Sequence, residues 1–265
     1  MASYQHLLVE QVGAVVKVRL NRPTERNKLN TPLMEELRDF ALAYRMRSDV
    51  HAIVLCGHSE FFSAGADLQT FLNTNAERPS LLEMRGLVML GPDMCKAWED
   101  LEPVTIVAIE GYCVGGACAL SLACDFRIAG SQGKMRLPEV PMGINMSWRS
   151  LPRLTNLVGP ARAKRFTMFG EFADAPTMLD WGMVDAVVDP GQAEVEAMQW
   201  AARLADLPPL SVRMTKESIN AFANANHHAS SFMDRDQFLL TFGTEDLKEG
   251  MTAFFEKRKP NFQGK

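Results

Sequence analysis

The sequence has no excess of basic charge. Its 28 Lys and Arg residues against 32 Asp and Glu give a net charge of -4. That leaves no electrostatic footprint for nucleic acid or an anionic membrane. It has no C-x-x-C pair, and its five cysteines, Cys56, Cys95, Cys113, Cys118 and Cys124, are odd in number. Several lie in apolar runs, which implies buried free thiols in a reducing compartment, and a cytoplasmic protein is expected. The opening MASYQHLLVEQVG has no basic region followed by an apolar stretch, so no secretory leader is expected. Low-complexity linkers and strict internal repeats are also missing. A membrane span is not expected either. The run from Val104 to Cys124 has about the right length, but VTIVAI is β-branched, and EGYCVGG interrupts the run with Glu110 and three glycines. A strand, a turn and a buried helix fit it better.

What is present is an ordinary globular composition over 265 residues, 47% hydrophobic and 23% charged, enough for one large domain or two modest ones. Short apolar strands are expected at 14–21, 52–57, 104–111, 125–130 and 184–188. Helical stretches separate them. Thr31-Pro32 reads as a cap followed by proline at the first helical position, with LMEELRDFALAY continuing at helical spacing, and residues 80–100 read as another helix. Beyond about residue 190 the strands stop. Four helical segments follow, so an α/β body (1–190) and a helical C-terminal region (191–265) are expected.

Three blocks carry more specific information. FFSAGADL (61–68) and AIEGYCVGGACALSLACDFRIAG (108–130) each follow a strand, and LPEVPMGI (137–144) comes next. With LNRPTERNKLN (20–30) and the terminal EGMTAFFEKRKPNFQGK, they resemble the enoyl-CoA hydratase/isomerase family, the crotonase superfamily, in the family's order and spacing over nearly the whole chain. The resemblance implies an α/β fold: a crotonase-like spiral of ββα units with a C-terminal helical trimerisation region. It further implies trimers that commonly pair into hexamers, a coenzyme A thioester as substrate, and no metal or prosthetic group. No nucleic acid or membrane partner is expected.

The residues make physical sense in that setting. A thioester that loses an α-proton, or is attacked at its β-carbon, develops negative charge on its carbonyl oxygen. Two fixed backbone N–H groups aimed there stabilise it, and losing one such donor typically costs about 3 kcal/mol. The resemblance places these donors at Ala66 and Gly116, and a glycine pair between strand and helix does let backbone approach a ligand closely. In isolation VGGACALSLAC reads as a helix packed by small residues, and SAGAD as a turn near a helix start. Arg26 and Lys28 would run along the pantetheine and nucleotide, Ala64, Asp67, Leu68 and Gln69 would line the cofactor chain, and Lys257 would reach the nucleotide of a neighbouring subunit. Each of these has an ordinary surface reading as well.

Two departures from the family's hydratases matter. Hydratases have a carboxylate three residues after the oxyanion-hole glycine, where this chain has Ala119, and a second in a later Pro-Glu pair, here Glu139. Hydratases also run into a glycine-rich helix start that helps to seat the water, where this chain has NMSWRS (145–150). Trp148 is a candidate to fill part of the acyl pocket, or is simply packed. Arg149 would face a polar acyl tail, solvent or another subunit. Hydration is well served by two carboxylates, whereas one can take and return the proton that a double-bond shift requires. The expectation is therefore an enoyl-CoA isomerase working through Glu139. The alternatives are a single-carboxylate hydratase for an unusual or branched enoyl-CoA, and a non-catalytic relative that binds coenzyme A or RNA. Adjacent His227 and His228 point apart on a helix, so no metal site is expected there.

Overall fold

The structure, a computed structural model, describes residues 4–67 and 79–265. Its larger sheet has six strands in the order β1 (Leu7–Val12), β2 (Val15–Leu20), β3 (Ala52–Cys56), β4 (Val104–Ile109), β6 (Phe126–Gly130) and β9 (Ala186–Val188). The β1–β2 pair is an antiparallel hairpin, and every later neighbour is parallel. A smaller sheet orders β5 (Tyr112–Val114), β7 (Lys134–Arg136) and β8 (Ala173–Asp174).

The central strands β3 and β4 are apolar but for Thr105 because both of their faces are covered. On β4, Val107 and Ile109 point into one core and Ile106 and Ala108 into another; on β3, Ile53 and Leu55 alternate with Ala52, Val54 and Cys56 in the same way. The larger core is closed by α1 (Thr31–Tyr44), α3 (Leu90–Glu99), α4 (Gly116–Leu122) and α5 (Ser150–Phe169). The opposite face is closed by α7 (Ala193–Ala205), whose Ala193, Ala197 and Ala201 recur at helical spacing and present methyl groups to the sheet. Helix α7 therefore packs as part of the body, although it lies beyond residue 190. Its first amide, Ala193 N–H, donates to the buried carboxylate of Glu110 at 2.9 Å. This gives the acid before the glycine-rich run a structural task.

Two turns of a ββα repeat follow from the strand assignments. The chain makes β4 in the large sheet, β5 in the small one, then α4; it then makes β6, β7 and, after a loop, α5. Between Asp174 and α7 lie α6 (Ala175–Asp180) and β9. The tail continues as α8 (Pro209–Ala223), α9 (His227–Ser231), α10 (Asp234–Phe242) and α11 (Glu245–Glu256), with no strand. All five cysteines are free and buried. Among the described residues no helix is long and apolar enough to cross a membrane.

Local readings shift in two places. Asn30, not Thr31, caps α1, its side chain accepting the Leu33 N–H at 3.1 Å. The single helix expected over 80–100 is two, α2 (Leu81–Leu87) and α3. Pro92 lacks the N–H that a continuous helix would need at its position, and it sits instead in the first turn of α3, where none is required.

The join between the sheets depends on Gly111, which turns the chain from β4 to β5 at φ 52°. A β-carbon there would strike the Glu60 carbonyl and approach the Phe61 Cα to 3.2 Å. Gly111→Ala is expected to destabilise the fold by about 2–4 kcal/mol, from overpacking against backbone and an unfavourable φ. Urea denaturation checks this, and a loss below about 0.5 kcal/mol would show that the crossing is not tight.

Candidate active site

Two loops meet beneath the large sheet. The first, after β3, is tied to the small sheet by a bridge from Ser63 to Cys113 and to the N-terminal loop by one from Leu29 to Ala66. Asn27 holds it from within: its Nδ2 donates to Phe62 O at 3.0 Å, and its Oδ1 accepts from Arg22 N–H at 2.9 Å. The Ser63 hydroxyl donates to Asn27 O at 2.7 Å and accepts from Gly65 N–H at 3.1 Å. The parallel bridge at Ala66 is made by Leu29 N–H to Gly65 O and Asp67 N–H to Leu29 O. These bonds use the groups on either side of Ala66 and turn its own N–H the other way.

The second loop is Gly115-Gly116, between β5 and α4. Gly115 has φ 55° and ψ −123°, a conformation costly for any other residue. Gly116 opens the helix, so its N–H has no intrahelical acceptor. In the parallel pair of β5 and β7, Val114 lies opposite Arg136, and Gly115 N–H donates to Arg136 O at 2.9 Å. Three residues beyond Arg136 is Glu139, whose own carbonyl accepts Ile144 N–H at 2.9 Å and closes the turn around 140–142. The strand register therefore delivers a carboxyl to a glycine. A β-carbon on Gly115 would stand 2.7 Å from Glu139 Oε1.

Ala66, Gly116, Glu139 and Trp148 line one hollow of ≈ 60 Å³, with Met34 from α1, Val88, Met146 and Phe238 from α10 among the apolar walls. Glu139 is the one carboxyl among the described residues that line it. Its Oε2 is shut off from solvent and has no hydrogen-bond partner among the described residues. Burial raises its pKa from 4.5 to about 7, against a weaker opposing pull from a local backbone hydrogen bond and the Arg136 charge. A carboxyl poised there can both take and give a proton near neutral pH, beside two amides free to face an oxyanion.

The other expected residues fall as follows. Ala64 and Asp67 are in the first loop, and Ala64 N–H donates to Arg26 O at 3.0 Å, so Arg26 and Lys28 border the same segment. Arg26 is exposed and Lys28 half-buried, and neither lines the hollow. Leu68 and Gln69 lie outside the described residues. Lys257 is exposed at the end of α11 and is not among the lining residues. Ala119 is fully buried in the core, one turn along α4 from Gly116. Arg149 is tied down within its own chain, its N–H donating to the Asp234 carboxylate at 2.9 Å. His227 Nδ1 lies 3.5 Å from Glu99, and the described residues contain no cluster of three or more metal-ligating side chains.

Sequence reasoning missed Gly91, Phe238 and Asp234. Gly91 and Phe238 reach the hollow from elements far from the motif blocks, and Asp234 holds its wall. No local spacing marks these long-range contacts.

A family model described as enoyl-CoA hydratase/isomerase matches residues 10–265. A crotonyl-CoA hydratase of Syntrophomonas wolfei is 33% identical, covering 99% of this chain and 100% of its own. A short-chain-enoyl-CoA hydratase of Clostridium acetobutylicum is 32% identical over 96% of each. The crystal structure of an enoyl-CoA hydratase/isomerase from Pseudoalteromonas atlantica superimposes with a TM-score of 0.87 at 27% identity, over 98% of this chain and 100% of that one.

The buried carboxyl has a consequence for stability. Because the folded pKa lies above the unfolded value, the native state holds a proton between pH 4.5 and about 7 that the unfolded chain has released. The favourable contribution is present in full below pH 4.5 and is lost as pH rises through 7. Above that, ionised Glu139 costs up to about 3 kcal/mol. Glu139→Gln should therefore gain stability relative to the parent as pH rises from 5 to 8.5, by about 1–3 kcal/mol. Urea midpoints across that range check it, and a gap that does not change with pH would mean that the carboxyl is not perturbed.

Proposed function

The chain belongs to the enoyl-CoA hydratase/isomerase family, and within it we propose a double-bond isomerase that uses Glu139 as its one proton carrier. The carboxylate takes a proton from C2 of a 3-enoyl-CoA. The electron pair moves into the thioester, and the amides of Ala66 and Gly116 receive the charge on its oxygen. The protonated Glu139 then gives the proton to C4, leaving the double bond between C2 and C3. Coenzyme A would lie along Arg26, Lys28, Ala64, Asp67, Leu68 and Gln69, with Lys257 serving the nucleotide bound by a neighbouring subunit.

The observation that carries this reading is the solitary carboxyl: Glu139 is alone among the described lining residues, and the position of the hydratases' first acid is a core methyl, Ala119. Trp148 adds to it by filling space beside Gly116 where hydration would need a seated water. A hydratase with one carboxylate is the second reading, favoured by the names of the relatives, which are hydratases.

The two readings part on a panel of 2-enoyl- and 3-enoyl-CoAs followed by mass and ultraviolet absorbance, since water addition changes mass and a bond shift does not. The 3-enoyl substrates should be converted faster than 2-enoyl substrates are hydrated, by about 10²–10⁴-fold, the usual worth of a missing acid–base partner. Efficient hydration without isomerisation would favour the second reading. Under either, Glu139→Gln should abolish turnover, and near-parental rates would place the base elsewhere.

Assembly through the tail is part of the proposal. Helix α8 exposes Leu210, Met214, Ile219 and Phe222, the last at 89%, with none of its residues buried. Exposed apolar side chains around a helix fit a subunit interface. Light scattering at micromolar concentration should give a trimer or a pair of trimers, and a monomer would overturn it.

A further inference from the structure

Trp148 and Arg149 are successive non-glycine residues in the left-handed region, at φ 62° and φ 54°. Such a pair persists only where the surroundings over-determine it. They do so here from two sides. Behind the turn, buried Arg153 donates from Nη1 to Trp148 O at 3.1 Å and to Arg149 O at 3.2 Å, and its own Nε is held by Glu99 at 3.0 Å. In front, Asp234 at the start of α10 accepts the Arg149 N–H. One turn along α10, Phe238 reaches the hollow.

The strained turn lays the indole against two glycines on different helices. A β-carbon on Gly91 of α3 would come within 2.6 Å of Cδ2 and Cζ2, and one on Gly116 of α4 within 2.5 Å of Cη2 and Cζ3. The ring is seated on bare backbone at both places and forms part of the wall of the hollow. What remains is ≈ 60 Å³. By the same measure one water needs about 10–15 Å³, so the space takes about four to six heavy atoms.

We propose that Trp148 limits the length of the acyl chain, so that the protein takes short acyl groups of about four to six carbons. This rests on the reading of the hollow as an acyl-thioester site, and it makes the Trp148–Arg149 turn, clamped by Arg153 and Asp234, the specificity-determining element. It does not depend on which reaction follows.

Calorimetric titration with saturated butyryl-, hexanoyl-, octanoyl- and decanoyl-CoA tests it without turnover. Each methylene that finds an apolar wall should tighten binding roughly fourfold. For the parent protein, affinity should stop rising, or fall, beyond hexanoyl. For Trp148→Ala it should keep rising through decanoyl, and for Trp148→Phe the limit should move outward by less. Decanoyl-CoA binding to the parent protein at least tenfold tighter than hexanoyl-CoA would overturn the proposal, and so would an unchanged length profile in a folded Trp148→Ala. The parent profile decides even where a variant does not fold. Failure of the parent to bind any of the four would instead remove the acyl-thioester reading, and the inference with it.

Discussion

The hollow depends on the register of two three-residue strands. With Val114 opposite Arg136, Gly115 N–H closes onto Arg136 O and Glu139 emerges beside the glycine. A slip of one residue would turn every side chain on one strand to the other face of the small sheet, and the carboxyl would no longer meet the turn that opens α4. Short strands hold register weakly by themselves. This pair borrows it from the large sheet, where β4 and β6 lie parallel with Ile106 opposite Phe126, and each feeds one strand of the small sheet. The rigid layer thus fixes a turn, and the turn fixes the carboxyl.

The same crotonase fold explains how much could be read from sequence. Strand β3 was legible because its apolar residues are continuous, β4 and β6 because theirs are broken only by Thr105 and Arg127, and the motif blocks marked the loops that follow β3 and β5 and the segment after β7. Strands β1, β5, β7 and β8 were not expected as separate elements. The inner three are two or three residues long, too short for any periodicity to register. The tail was legible as helices, but not by destination: α7 turned inward because Ala193, Ala197 and Ala201 recur at a spacing that lets it lie on the sheet, while α10 brought Phe238 and Asp234 to the site. Glu139 could be named from its block. That Trp148 would rest on Gly91 could not, since only the packing of α3 beside α4 brings those residues together.

A lone buried carboxyl and a bulky neighbour make one chemical design. Hydration of a double bond needs a group to deprotonate water and a group to protonate carbon, with the water held between them. A bond shift needs a single group that is ionised when substrate arrives and acidic one step later. Burial against Gly115 suits Glu139 to that second task, because a pKa of about 7 makes neither protonation state dominant at neutral pH. A fully solvated carboxylate would be a weaker base, and a second carboxylate nearby would split the pair's titration and leave one group strongly acidic. The indole of Trp148 lines the same hollow, set against Gly91 and Gly116. On the proposed reading, Glu139 as the one carboxyl among the described lining residues would carry the proton between two carbons of the same substrate.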